Sequence, residues 1–163
     1  MSIDVQDYIE VSAKLAQWGI ARPDGFAILP SNLAQAKTKE ELFQHAESET
    51  VKKLMRTNNI DYTELFDADN RPAYLQQYGF EWYGPTLFYT LAALSENPTL
   101  VSVSLGIITN YLYDLFKGEK NGTALLDVII EKPDGSCKHV QYKGPPEGLA
   151  SVADIVRELE GVK

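Results

Sequence analysis

ALLDVIIEKPDGSCKHVQYK, residues 124–143, takes the chain out of the all-helical class. ALLDVIIEK is rich in Val, Ile and Leu and lies between the polar loop GEKNG and a turn, which leaves it too short for a helix. Pro133-Asp134-Gly135-Ser136 carries strong turn chemistry, and CKHVQYK reads as the returning strand, broken by Gly144-Pro145-Pro146. Alternation places Cys137, His139 and Gln141 on one face of that strand, and Lys138, Val140 and Tyr142 on the other. The pattern suits an edge strand with its apolar side chains inward and an open edge along 137–142.

Upstream, NPTLVSVSLGIITNYLYDLFKG (97–118) has no charged side chain from Asn97 to Tyr113. At 100° per residue, Leu100, Val101, Leu105, Ile107, Ile108, Leu112 and their neighbours fall on one half of a helix, with Ser104 the only polar residue among them. A bilayer span needs about 20 mainly apolar residues and has no reason to segregate them. This stretch is therefore read as a core helix closed by Gly118, not as a membrane segment. Its uncharged back, centred on Ser102, Gly106 and Asn110, admits close approach by a helix of the same chain, such as 85–95, or by a second molecule. Downstream, EGLASVADIVRELEGVK is amphipathic, so residues 98–160 form a helix–β-hairpin–helix unit.

The first two thirds read as mainly helical. Residues 4–18 have apolar positions near helical spacing, with Gly19 as the stop. Phe26 to Leu29 is a short strand or extended piece closed by Pro30. Thr38-Lys39-Glu40-Glu41 matches a capping box and predicts a helix reaching Asn58-Asn59, a pair suited to a left-handed exit. Residues 60–84 show no sustained period and read as an irregular loop. Pro85 then suits the first position of a helix through TLFYTLAALSEN. The expected class is α+β: a single compact domain over 1–163, mainly helical in its N-terminal two thirds.

The net charge of −8 argues against a sequence-independent hold on nucleic acid, which needs clustered cations. One cysteine, Cys137, excludes an intramolecular disulfide and a cysteine metal cage. MSIDVQDYIEVSAKL has no basic n-region before an apolar core, which points to the cytoplasm. Glu41 and His45 share a helical face at i, i+4 and read as an ion pair, since no third metal ligand is spaced to join them. Cys137 and His139, two apart on a strand, are poorly placed for direct catalytic pairing. Phosphate-binding glycine loops and a Gly-x-Ser-x-Gly elbow are missing. Glu81, among aromatics, could be a buried carboxylate of raised pKa, as in a glycan-cleaving site, but nothing identifies a partner for it. No catalytic residue, metal or cofactor is assigned.

Seven of the chain's seventeen aromatic residues lie between Tyr74 and Tyr89. Tyrosine and tryptophan concentrate at binding surfaces as well as in cores. The resulting expectation is a small intracellular interaction or regulatory protein without catalytic chemistry, acting on a protein partner or as a homodimer. Its candidate contacts are Tyr74, Tyr78, Trp82 and Tyr83; Ser102, Gly106 and Asn110; and Cys137 and His139 on the strand edge. The alternatives are a small hydrolase or transferase built from carboxylates with Tyr or His, and a small-molecule or glycan-binding module.

Overall fold

The computed structural model describes residues 1–67, 69–75, 81–117 and 122–160. Tyr78, Gly118 and most of the GEKNG loop lie outside them. At the centre is the expected hairpin, β6 (Thr123–Glu131) and β7 (Cys137–Gly144), paired antiparallel from Ala124↔Gly144 to Glu131↔Cys137. Its turn is closed by Lys132 N donating to Ser136 O, by Asp134 Oδ1 accepting from Ser136 N, and by Gly135 at φ 90°. That φ is open to glycine at little cost.

The sheet extends well beyond the hairpin. β1 (Ser2–Tyr8) pairs antiparallel with β7 along its whole length, β5 (Glu81–Thr90) runs parallel to β6, and β2 (Phe26–Leu29) pairs antiparallel with β5. The order is β1-β7-β6-β5-β2. β7 is therefore interior, and the open edge expected along 137–142 is occupied by β1. The described residues hold this mixed five-stranded sheet and five α-helices, so the expectation of mainly helical N-terminal two thirds is wrong.

Three local misreadings account for the error. Residues 2–8 alternate Ile3, Val5 and Asp7 against Asp4, Gln6 and Tyr8, a two-residue period that a seven-residue window confuses with a helical one. The helix is confined to α1 (Val11–Gln17), which does end with Gly19 in the left-handed region, at φ 71°. The capping box fails because its backbone has other partners. The Asn32 side chain accepts from Phe43 N and donates to Glu41 O, both at 2.9 Å, while Glu41 accepts from Lys37 N. Thr38 makes no cap, residues 39–41 form a single 3-10 turn, and the chain runs extended as β3 (Phe43–His45). The helix begins later, as α2 (Glu47–Thr57), and leaves through Asn59 at φ 59° as expected.

The third misreading is 60–96. β3 pairs in parallel with β4 (Ala73–Leu75), and the expected helix from Pro85 is mostly strand. Pro85 sits at a bulge between Tyr83 and Thr86, where no ladder donor is required. Gly84 is needed there, because a Cβ would collide with the Trp82 ring and with Leu126. Only α3 (Leu91–Glu96) is helical, capped by Thr90 Oγ1 accepting from Ala93 N. α4 (Leu100–Leu115) and α5 (Leu149–Glu160) match the expected helices, although 85–90 does not supply the helix expected to lie against α4.

Two cores flank the sheet. On one face Ile28, Leu87, Val128 and Val140 pack with the inner residues of α2, α4 and α5, including Val51, Met55, Ile108, Leu112, Val152 and Val156. On the other, Ala27, Leu29, Phe88, Ile129 and Cys137 pack with α1 and the 33–42 segment through Val11, Leu15, Leu33 and Leu42. Glu131 locks that second layer. It is fully buried and accepts from Arg22 Nη2 at 2.7 Å, Arg22 Nε at 3.1 Å and Ser12 Oγ at 2.5 Å.

A polar groove on the sheet face

The second layer covers only part of its face. The covered part includes the row Gln6–His139–Ile129–Phe88–Ala27, where Ile129, Phe88 and Ala27 are buried. Two residues along the strands, the next row on the same face reads Asp4–Gln141–Asp127–Thr86–Leu29. Beyond it come Ser2, Lys143, Leu125 and Tyr83. Of these, Asp4, Gln141, Asp127, Lys143 and Tyr83 line a groove of about 380 Å³, with His45 of β3 on its wall.

Asp127 bonds one histidine of the chain and lines the groove with the other. His139 Nε2 lies 2.7 Å from Asp127 Oδ1, with the His139 side chain 13% exposed and that of Asp127 32%. A carboxylate only accepts, so Nε2 carries the proton. Nδ1 then faces the Gln6 amide at 3.5 Å, and the Tyr8 ring meets the imidazole edge-on at 5.1 Å. Both ring nitrogens of His139 are thus turned to protein groups, and its effect on the groove is to hold Asp127 in place as an acceptor.

His45 stands in a different setting. Its ring lies 5.6 Å from that of Tyr83, and its buried Nδ1 has no protein partner. Burial pushes its pKa down, opposed in part by the negative charge of Asp127, so the ring is neutral at pH 7. The expected Glu41–His45 pairing does not occur, since no helix joins them. Among the described residues, no three His, Cys, Asp or Glu side chains group as a metal ion would require.

The expected contact residues are dispersed. Trp82 is buried in the helical-side core at 3% exposure, together with Tyr89, while Phe88 belongs to the core on the other face. Tyr83 lines the groove, Tyr74 is exposed and donates to Glu49 Oε1 at 2.7 Å, and Tyr78 lies outside the described residues. Glu81 is exposed and accepts from the Tyr83 hydroxyl, the reverse of the buried carboxylate considered from sequence. Cys137 is buried, which raises its thiol pKa to about 11 and leaves it no nucleophile. Ser102, Gly106 and Asn110 look across a second groove, of about 470 Å³, towards Ala150, Asp154 and Arg157 of the same chain. Among the described residues no helix is long and apolar enough to cross a membrane.

Asp127, Asp4 and Gln6 were missed. The available signal was Asp127 itself, a charge set in the middle of the aliphatic run 124–130. A search of family models, curated proteins and solved structures finds no match to the chain.

Proposed function

We propose that the protein is a binding module without catalytic chemistry of its own, which takes a small hydroxyl- or amine-bearing molecule into the groove on the sheet face. The carrying observation is Asp127, a part-exposed carboxylate oriented by His139 and floored by Asp4 and Gln141. It offers acceptors to hydroxyl or amine protons. Tyr83 and His45 supply a ring wall of the kind that covers the apolar face of a polyol or sugar. Binding is favoured over catalysis because His139 has both nitrogens directed at protein groups and the thiol is buried. A regulatory or accessory role follows naturally from a module that binds and does not react.

The chain has only two histidines, so their imidazole NMR signals report on the groove directly. Titration with a panel of monosaccharides, polyols and small amines is expected to shift both, and Asp127→Asn to weaken the response at least about tenfold, the scale of one charge-assisted hydrogen bond. If no compound moves either histidine, or Asp127→Asn binds as well as the parent, the groove is not the site.

A further inference from the structure

We propose that two copies of the chain join edge to edge through β1, antiparallel about Val5, to form one continuous ten-stranded sheet. The two edges of the sheet are treated differently. β2 is covered, with Thr63 bridging to Ala27 and its amide donating to Phe26 O at 2.8 Å. Among the described residues β1 has backbone partners on the β7 side alone. Its seven residues contain no proline, lysine or bulge of the kind that keeps an edge from pairing, and its two charges, Asp4 and Asp7, fall opposite uncharged residues in the antiparallel register about Val5.

The helical-side face shows what the edge lacks. Ile28, Leu87, Val128, Val140 and Val5 are successive partners across all five strands. The first four are no more than 2% exposed, and Val5 is 46% exposed. An aliphatic row thus reaches the edge of the sheet without a polar end.

The β1 sequence is complementary to itself in this register. Antiparallel pairing about Val5 sets Val5 against Val5, Asp4 against Gln6, Ile3 against Asp7 and Ser2 against Tyr8. No carboxylate directly opposes another, the Gln6 amide can donate to Asp4, and Asp7 is already paired with Lys138 of its own chain. The aliphatic row then continues into the second copy as Val5, Val140, Val128, Leu87 and Ile28. On the other face, Gln6 and Tyr8 of the second copy extend the Asp4 and Ser2 rows that border the groove. This assembly does not use the Ser102–Gly106–Asn110 face, and it stands or falls independently of any ligand in the groove.

Sedimentation equilibrium at micromolar concentration is expected to give twice the 18.2 kDa chain mass. Val5→Lys, which sets two like charges against each other, should raise the dimer dissociation constant at least about tenfold with an unchanged far-UV spectrum. Val5→Cys should cross-link on mild oxidation, because directly opposed Cβ atoms lie about 5 Å apart, near disulfide reach. Cys137 is buried and does not compete. Gly106→Cys, at a position where an added Cβ meets nothing within 4 Å, should stay uncross-linked. A monomer at every concentration, a dimer that survives Val5→Lys, or cross-linking through Gly106→Cys in place of Val5→Cys would each overturn the proposal.

Discussion

Two rows of side chains cross the sheet one residue apart on every strand, and they meet opposite fates. Ile28, Leu87, Val128, Val140 and Val5 face the helices of one layer. Their neighbours Leu29, Thr86, Asp127, Gln141 and Asp4 face the other way, and the row turns polar towards the groove. The aliphatic row is a continuous stretch of core, whereas the polar row leaves the core after Thr86. Register makes the contrast strict, because a slip of one residue would exchange the rows and carry Asp127 into the position where Val128 is fully buried.

The sharpest way to break the comparison is to swap chemistry between adjacent residues. Val128→Asp places a carboxylate where the parent side chain is fully buried among aliphatic residues, and should cost more than about 4 kcal/mol. Asp127→Val, one residue earlier, removes a part-exposed charge and should change stability by less than about 1.5 kcal/mol. Urea denaturation of the two variants checks both. Comparable losses would mean that the polar row is held as tightly as the core.

What could be read from the sequence follows the same division. The hairpin, α4 and α5 were legible because each has a long, clean period bounded by strong turns, and Gly19 and Asn59 were legible as helix exits because their φ is a local property. β1, β3 and β5 were not. β1 is short and owes its conformation to β7, far along the chain, where Ser2 pairs with Lys143 and Tyr8 with Cys137, and β3 to the Asn32 side chain that displaces a plausible capping box. β5 contains Gly84-Pro85, which reads as a breaker until the bulge provides a place for it. The groove was invisible for a related reason. Asp127, His139 and His45 come from three elements, and only the sheet register and the docking of β3 bring them together.

A smaller effect concerns His45 and pH. Burial lowers the folded-state pKa of His45 below its ordinary value of 6.5. The unfolded chain therefore takes up its proton first, and unfolding gains as pH falls. The stability associated with a neutral His45 is fully present above pH 6.5 and is lost as pH drops from there towards the folded value. His45→Gln should flatten the stability curve over that window and leave it unchanged above it. An identical slope in parent and variant would show that His45 titrates as a solvated ring and is not held neutral by the groove wall.

The smallest effect lies at the open end of the aliphatic row. Val140 and Val5 are direct cross-strand partners of the same residue type, yet one is fully buried and the other is 46% exposed. Val140→Ala should cost about 2 kcal/mol, from lost transfer and an unfilled space. Val5→Ala in dilute solution should stay within about 0.5 kcal/mol, as at other exposed positions. The two values part further if β1 pairs with a second copy. Anything that binds only the folded chain makes apparent stability depend on concentration, so the loss at Val5 should grow as protein is added while the loss at Val140 holds steady. A Val5 deficit independent of concentration would place its whole contribution within one chain and leave the row ending in water.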